Sequence, residues 1–305
     1  MGSRRSKAGT PQGHCGQDVA SSNGGVVAKG EGDSLEANAG AVDPGLSIVA
    51  AKDDRDTIPL FEPRPGGPAE RFATFIGDRH PVVAFFLALI SGYLLLAAAS
   101  IALGFLVTKV LLSIDAVERL DERFPRWVAG ERTDGWTDAS WVGSELSGGY
   151  VIPAVLVLVA VVMVVQRKWR IAGYVVFAVA VESATYRATT LFVERRRPEV
   201  ERLESLPVDA SYPSGHTAAS IALYSGLALL LTSRFARGPW RVAVWAIALS
   251  IPPIVALSRI YRGMHHPIDV LAGIPIGIAA IIVVLFACRV AGAAIARRDE
   301  ATESR

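Results

Sequence analysis

Cysteine is almost absent from this chain, which has two in 305 residues. Cys15 lies in a polar stretch and Cys288 near the end of an apolar one, so we expect free thiols and no disulfide framework. No group of Cys and His residues has the spacing of a zinc site. The sequence therefore predicts no metal site.

Charge of one sign is not in excess either. The 31 Lys and Arg residues nearly balance 29 Asp and Glu residues, and the formal net charge is +2. Such a balance gives no indication of nucleic-acid binding. What the chain does have is hydrophobic residues, which make up 51% of it and are concentrated in separate runs. This distribution favours membrane spans over one large soluble core.

The first 70 residues contain none of these runs. They are rich in Gly, Ala, Ser and Asp, and they show no sustained periodicity. A segment of this kind cannot bury enough apolar surface to offset the entropy lost on ordering. No apolar stretch follows the start closely, so a cleavable signal peptide is not expected. We interpret residues 1–70 as a disordered, unmodified cytoplasmic tail.

Six apolar runs follow, and most reach the roughly 20 residues that span a bilayer. The second and the fourth are shorter and would borrow flanking residues. Because lipid offers the backbone no hydrogen-bond partners, each span must be a helix. The predicted fold is all-α, a six-transmembrane-helix bundle over residues 71–293, followed by a cytoplasmic tail at 294–305. The predicted spans are about 81–112, 150–165, 171–193, 217–232, 242–257 and 268–290.

Lysine and arginine in the short loops predict the orientation. Basic residues without acids occur at 167–170 and at 234–241, and further arginines follow the last span. In a six-span topology these three places share one side, which is therefore predicted to be cytoplasmic. The chain is expected in the cell membrane, with both termini cytoplasmic and the loops at 113–149 and 194–213 outside.

Three polar clusters lie where the third to sixth spans meet the outer side, at 194–198, 213–216 and 258–269. Their arginines, Arg197 and Arg259, present forked donors that match phosphate oxygens. Ser214 and Gly215 stand at a helix start, where free backbone amides favour an anion. A lone arginine at such a place more often anchors a helix end. The whole combination on one face predicts a phosphate site.

Two histidines and one carboxylate complete this group. His265 and Asp269 are four residues apart, so they are neighbours if helical geometry reaches back to His265. A histidine oriented by a carboxylate and facing a phosphate is a nucleophile arrangement. His216 is a candidate to protonate the leaving oxygen. If the arginines neutralise the charge that develops on phosphorus, neither a metal nor another cofactor is required.

The motifs resemble those of the type 2 phosphatidic acid phosphatase superfamily, which also contains the vanadium haloperoxidases. The signature of that family consists of Lys-x6-Arg-Pro, Pro-Ser-Gly-His and Ser-Arg-x5-His-x3-Asp. The second motif stands here at 213–216 and the third at 258–269 with both spacings kept, while the first survives as Arg197-Pro198. The resemblance covers about residues 81–290 and implies an integral membrane lipid-phosphate phosphatase.

The resemblance also implies a role for each matching residue. His265 is the expected nucleophile, Asp269 its orienting partner and His216 the general acid. The reaction is then expected to pass through a phosphohistidine on His265 without a metal. Phosphate binding falls to Arg197, Ser214, Gly215 and Arg259.

The sequence departs from this signature at the lysine. Thr190 stands seven residues before Arg197, where the family has lysine, and it cannot supply the missing positive charge. We expect Arg195 or Arg196 to replace the lysine in part, with Arg195 preferred. Arg187 lies one helical turn away on the same face, but its side chain leans deeper into the membrane.

The predicted function is hydrolysis of a lipid phosphate or diphosphate, and phosphatidate, phosphatidylglycerol phosphate and polyprenyl diphosphate all fit. Two alternatives stay open. One is a vanadate-dependent haloperoxidase, and the other is a catalytically weak lipid-phosphate-binding protein, because of Thr190. The substrate and the surrounding membrane lipids are the expected partners, and the sequence leaves the oligomeric state open.

Two features next to the motifs have their own interpretations. In the outer loop at 113–149, Trp127, Trp136 and Trp141 indicate either an interfacial segment that covers the site or a simple membrane anchor. His266 precedes a proline, which favours an extended conformation, and it is expected at the rim of the site.

Overall fold

The structure, a computed structural model, describes residues 58–205, 209–234 and 238–303. Within these ranges every regular element is helical and no strand occurs, so the predicted all-α class is confirmed. Residues 1–57, most of the predicted tail, lie outside the described ranges. The helices are α1 (Pro68–Phe75), α2 (Pro81–Lys109), α3 (Asp115–Gly130), α4 (Asp134–Glu145), α5 (Val151–Val165), α6 (Trp169–Phe192), α7 (Gly215–Ser220), α8 (Gly226–Arg234), α9 (Pro239–Tyr261) and α10 (Pro267–Glu303).

Helices occupy all six predicted spans, as α2, α5, α6, α7 with α8, α9 and α10. In the fourth span a π-helix at Ile221–Ser225 joins α7 to α8. α5 is apolar but has only 15 residues, and α6 contains charged side chains. The number of spans, six, therefore stays a prediction. Four stretches are long and apolar enough to cross a membrane, namely Pro81–Ser113, Gly215–Ser233, Pro239–Tyr261 and Pro267–Glu303.

The described fold extends beyond both predicted ends of the bundle. Pro59–Phe61 form a 3-10 helix inside the predicted tail, and the buried Phe61 ring packs on Tyr174 with 5.4 Å between ring centroids. At the other end, α10 continues to Glu303 through the segment predicted as a tail. Both corrections have a tertiary cause, because α1 and the 3-10 helix pack against α10.

The contact between α7 and α10 determines where the polar clusters meet. A Cβ atom at Gly273 would lie 2.7 Å from the Ser214 carbonyl oxygen, and one at Gly277 would lie 2.5 Å from the Ala218 carbonyl oxygen. Glycine at both positions lets the two backbones approach closely, as small residues do between membrane helices. The start of α7 is thereby held against the start of α10.

The segment 113–149, predicted to lie outside, forms α3 and α4, which pack on α9. α3 also reaches the first turn of α10, where the Ile268 N–H donates to Asp121 (3.0 Å). The segment therefore lies over the end of the bundle that has the polar clusters, which favours the interpretation as a cover. The three tryptophans, Trp127, Trp136 and Trp141, are all more than half exposed, as suits rings at headgroup level.

Candidate active site

The three polar clusters meet at one end of the bundle. The Ser214 N–H donates to the backbone carbonyl of Asp269 (3.0 Å), which joins the second cluster to the third. Arg197 of the first cluster and Arg259 of the third both act electrostatically on His265. The residues that the sequence placed on one face therefore lie together in space.

His265 is held in the tautomer that a nucleophile needs. Its Nδ1 lies 2.7 Å from the carbonyl oxygen of Ser211. Because a carbonyl can only accept, Nδ1 has the proton and Nε2 keeps its lone pair. Burial, and next the positive charge of Arg259, lower the pKa of His265 well below its usual value. His265 is therefore neutral at physiological pH, with Nε2 available to attack.

The four-residue spacing suggested a direct bond between Asp269 and this imidazole, but the structure does not have one. Its Oδ2 is 3.9 Å from Nδ1 of His265, beyond hydrogen-bond distance. That oxygen accepts from the Ser211 hydroxyl and from the backbone N–H of His266, the latter at 2.8 Å. The Ser211 carbonyl takes the place at Nδ1 instead. Asp269 thus acts on His265 through Ser211, a residue that no motif in the sequence indicated.

Arg259 has the geometry of an anion-binding group. Its side chain is fully buried, and Nη1 donates to the Ser144 hydroxyl (2.6 Å) and to the Glu204 carboxylate. Nε and Nη2 are buried too, and they have no hydrogen-bond partner in the part of the chain that the structure describes. Buried donors without partners are costly and uncommon. Arg259 therefore offers two donors that an anion would satisfy.

The other predicted phosphate ligands are Arg197, Ser214 and Gly215. Arg197 is 4% exposed, and its Nη1 donates to the carbonyl oxygen of Met264, next to His265. Ser214 caps α7 by accepting from the backbone N–H of Thr217. A Cβ atom at Gly215 would lie 3.0 Å from the ring of Tyr186, so the absence of a side chain serves helix packing here.

His216, the predicted general acid, lies in the same charged group. It is half-buried at the start of α7. The charges of Arg259, Glu204 and Arg197 act on it, and it acts in turn on His265. The same two arginines therefore act electrostatically on both histidines.

Glu204 and Arg262 are functional candidates that no motif indicated. The Glu204 carboxylate accepts from both Arg259 and Arg262. Burial alone would raise the pKa of Glu204, but the adjacent Arg259 lowers it below its ordinary value, so the group is ionised. Arg262, 5% exposed, also donates to Ser140 (3.2 Å) and to the Leu203 carbonyl (3.0 Å). An internal carboxylate thus occupies part of the arginine donors.

None of the three candidate arginines has a free guanidinium inside the site that could replace the missing lysine. Thr190 donates to the Arg187 carbonyl of its own helix (2.9 Å). Arg187 and Arg196 are exposed. Arg195 donates to the carboxylates of Asp121 and Asp269, so its guanidinium is engaged by acids on both sides.

α3 supplies two further acids to the back of the site. Asp121 is 3% exposed, and Glu122 lies 3.0 Å from Nε2 of His266. His266 itself is 2% exposed, so its predicted position at the rim is wrong. A sequence signal did exist for Asp121, because it shares the inward face of α3 with Pro125, where an apolar residue is the norm.

An apolar groove of about 720 Å³ lies between α7, α8, α9 and α10. Thr217, Ile260 and Val270 line it, and each is next in sequence to a predicted site residue. On α10 the lining extends to Leu285, 15 residues past Val270, which is about 22 Å of helix. The groove has the length and polarity that suit a hydrocarbon chain.

The fold combines apolar helices of membrane-spanning length with a cluster of buried arginines near His265. Residues 154–290 match the model of the PAP2 superfamily. The match confirms the resemblance that the motifs indicated.

Named relatives are phosphatases of lipid phosphates. An undecaprenyl-diphosphatase of Sulfolobus acidocaldarius is 42% identical over 71 residues, which cover 23% of this chain and 30% of that protein. Phosphatidylglycerophosphatase B of Bacillus subtilis is 25% identical over 59% of this chain and 88% of its own. A decaprenylphosphoryl-5-phosphoribose phosphatase of Mycobacterium tuberculosis is 32% identical over 37% and 56%. The first and third matches span less than two thirds of those relatives.

The fold also has a solved counterpart. A transmembrane phosphatidylglycerolphosphate phosphatase of the PAP2 type from Bacillus subtilis superposes with a TM-score of 0.52 at 24% identity. The match covers 67% of this chain and 94% of that one.

Proposed function

We propose that this protein is a membrane phosphatase that hydrolyses a lipid phosphate or diphosphate through a phosphohistidine on His265. The observation that supports this most directly is the pairing of His265 with Arg259. The histidine keeps a free lone pair on Nε2, and the arginine next to it has two buried donors without partners. A nucleophile beside an unfilled anion site is the arrangement that phosphoryl transfer requires.

The first step forms the covalent intermediate. Nε2 of His265 attacks phosphorus in line, a nitrogen–phosphorus bond forms, and the bond to the leaving oxygen breaks. His216, which the negative charge of the bound phosphate would keep protonated, donates its proton to that oxygen. The lipid then leaves as an alcohol, or as a lipid monophosphate when the substrate is a diphosphate. Arg197 and Arg259 neutralise the charge on the other phosphate oxygens. No metal enters the step.

The second step restores the enzyme. His216, now neutral, takes a proton from water, and the resulting hydroxide attacks phosphorus. The nitrogen–phosphorus bond breaks, inorganic phosphate leaves, and His265 regains its lone pair. The hydrogen bond from Nδ1 to Ser211 keeps the ring in one orientation through both steps.

The apolar groove supports a lipid substrate. Three of its lining residues directly follow predicted site residues in sequence, which supports a hydrocarbon chain in the groove with its phosphate at the site. Two of the named relatives act on polyprenyl-linked phosphates and one on a glycerophospholipid, so both types of chain are candidates here. We further propose six spans, with the termini cytoplasmic and the site on the outer face.

The test is phosphate release by the purified, detergent-solubilised full chain. The panel contains phosphatidate, phosphatidylglycerol phosphate and polyprenyl diphosphate, with excess EDTA throughout. His265→Ala should abolish release. His80→Ala is the matched control, because His80 is an exposed residue at the start of α2, outside the site.

Trapping the intermediate gives an independent check. Quenching the reaction with labelled substrate should leave phosphate on the protein as an acid-labile, base-stable adduct that His265→Ala lacks. Substantial turnover by His265→Ala would refute the mechanism. No release from any lipid would favour the alternative of a weak binding protein, and halide oxidation upon addition of vanadate would favour the haloperoxidase.

A further inference from the structure

Helix α3 has none of the family motifs, yet it reaches the back of the candidate site with two acids. We propose that Asp121 is a positioning residue for the attack by His265 and acts through Arg195, Asp269 and Ser211. The inference rests on the proposed function and adds a component from outside the conserved signature. A chain of hydrogen bonds connects Asp121 to His265 through these three residues.

Asp121 is the fixed end of the chain of contacts. Its side chain is 2% exposed, one oxygen accepts from Arg195, and the other accepts from the backbone N–H of Ile268 at 3.0 Å. A buried carboxylate is costly unless its charge is paired and hydrogen-bonded. Here both conditions are met, so Asp121 has a defined position relative to the first turn of α10.

Arg195 is the bridge. Nη2 donates to Asp121 and Nη1 to Asp269, and the side chain is 8% exposed. Burial alone would lower the pKa of Arg195, but Asp269 and Asp121 raise it above its ordinary value. The planar fork of a guanidinium can serve two carboxylates in one fixed geometry. Asp121 therefore determines where Arg195 lies, and Arg195 determines where Asp269 lies.

Ser211 transmits this position to the nucleophile. Its hydroxyl donates to Asp269, its backbone N–H donates to the Arg195 carbonyl (2.7 Å), and its own carbonyl accepts from His265. Ser211 is thus attached to Arg195 twice, directly through the backbone and indirectly through Asp269. Its carbonyl in turn determines both the tautomer and the ring orientation of His265.

A second contact from α3 runs parallel to the first. The carboxylate of Glu122 lies 3.0 Å from Nε2 of His266, and Nδ1 of the same ring lies 3.3 Å from the Asp269 carboxylate. The backbone N–H of His266 donates to Asp269 at 2.8 Å. α3 therefore contacts both His266, in the loop before α10, and Ile268, in the first turn of α10.

Loss of Asp121 should affect the chemical step more than binding. With Asp121→Asn, Arg195 keeps one acid partner, Asp269, and moves toward it. The Ser211 hydroxyl, which bonds to Asp269, is then displaced, and the Ser211 carbonyl shifts relative to His265. The arginines proposed to bind phosphate have other partners, Met264 for Arg197 and Ser144 for Arg259. We expect kcat to fall about 10- to 100-fold, as when outer partners of functional histidines are removed, with KM changed less than about threefold.

The experiment is a double-mutant cycle on the full-length, detergent-solubilised protein. It compares Asp121→Asn, Arg195→Gln and the double variant, with Asp115→Asn as the matched control on an exposed part of α3. If Asp121 acts through Arg195, the fall in kcat of the double variant stays within about threefold of the larger of the two single-variant falls. The proposal would be overturned if the fall in kcat of the double variant equalled the product of the two single-variant falls. It would also be overturned if Asp121→Asn had the same kcat as Asp115→Asn.

A readout independent of turnover separates this inference from the proposed function. In ¹⁵N-histidine spectra, with His265→Ala identifying the signal, His265 should be a single Nδ1-protonated tautomer in the wild type and a tautomer mixture in Asp121→Asn. If no lipid is hydrolysed, the proposed function fails, and the spectra still test the positioning. An unchanged tautomer in Asp121→Asn would refute it. If that variant does not fold, Arg195→Lys, which keeps the charge but not the fork, is held to the same outcomes.

Discussion

The guanidinium of Arg259 permits a quantitative test of the phosphate site. Nη1 is used by Ser144 and Glu204, whereas Nε and Nη2 have no partner among the described residues. In Arg259→Lys the single ammonium keeps the charge next to Glu204, but it cannot also present a fork to phosphate. Two charge-assisted hydrogen bonds are lost, each contributing about 1.5–3 kcal/mol.

The expected cost is therefore about 3–6 kcal/mol of transition-state stabilisation, which corresponds to a fall in kcat/KM of roughly 10²- to 10⁴-fold. The assay is phosphate release at several concentrations of the preferred lipid. Arg262→Lys is the matched control, because Arg262 is equally buried and bonds to the same Glu204, but its donors already have protein partners. We expect the kcat/KM of that variant to fall by less than about tenfold. A kcat/KM of Arg259→Lys within tenfold of the wild-type value, or an equal fall in kcat/KM in both variants, would refute the assignment of Arg259 to phosphate binding.

Three further predictions follow from the same structure. The pKa of His265 in the folded protein is far below its unfolded value of about 6.5, so the unfolded state binds more protons as the pH falls. The thermal midpoint should therefore fall between pH 7.5 and pH 5, and it should fall less in His265→Asn. Glu204→Gln removes a negative charge beside the phosphate site, so the inhibition constant of inorganic phosphate should fall on the order of tenfold; an unchanged or higher constant would contradict this. Gly277→Ala places a Cβ atom 2.5 Å from the Ala218 carbonyl and should destabilise the fold by about 1–3 kcal/mol in denaturant titrations, whereas Gly173→Ala, with nothing within 4 Å, should be neutral.

The charges around His265 divide into two groups of opposite character. On one side, two acids share the single cation Arg195; on the other, Arg259 and Arg262 share the single acid Glu204. The first group has its donors and acceptors satisfied and is suited to holding a position. The second keeps unpaired donors and is suited to receiving an anion. The nucleophile lies between a rigid support and a binding surface.

Much of this organisation was accessible from the sequence. Apolar runs of spanning length predicted helices at the right places, because a membrane span must satisfy its backbone hydrogen bonds internally. Alternating topology then placed the clusters at 194–198, 213–216 and 258–269 on one face, and the structure brings them together. The spacing of the motifs was sufficient to indicate the family, which residues 154–290 confirm.

The partners of each side chain were decided only by the tertiary structure. Asp121 is 74 residues from Arg195 and 147 from Ile268, and no local periodicity connects such positions. The four-residue spacing of His265 and Asp269 predicted a direct pair, but the 3.9 Å between them leaves the place at Nδ1 to the Ser211 carbonyl. Sequence pattern determines which face of the membrane a polar group reaches. Which donor meets which acceptor there depends on how closely the helices pack, since hydrogen bonds are lost within a few tenths of an ångström.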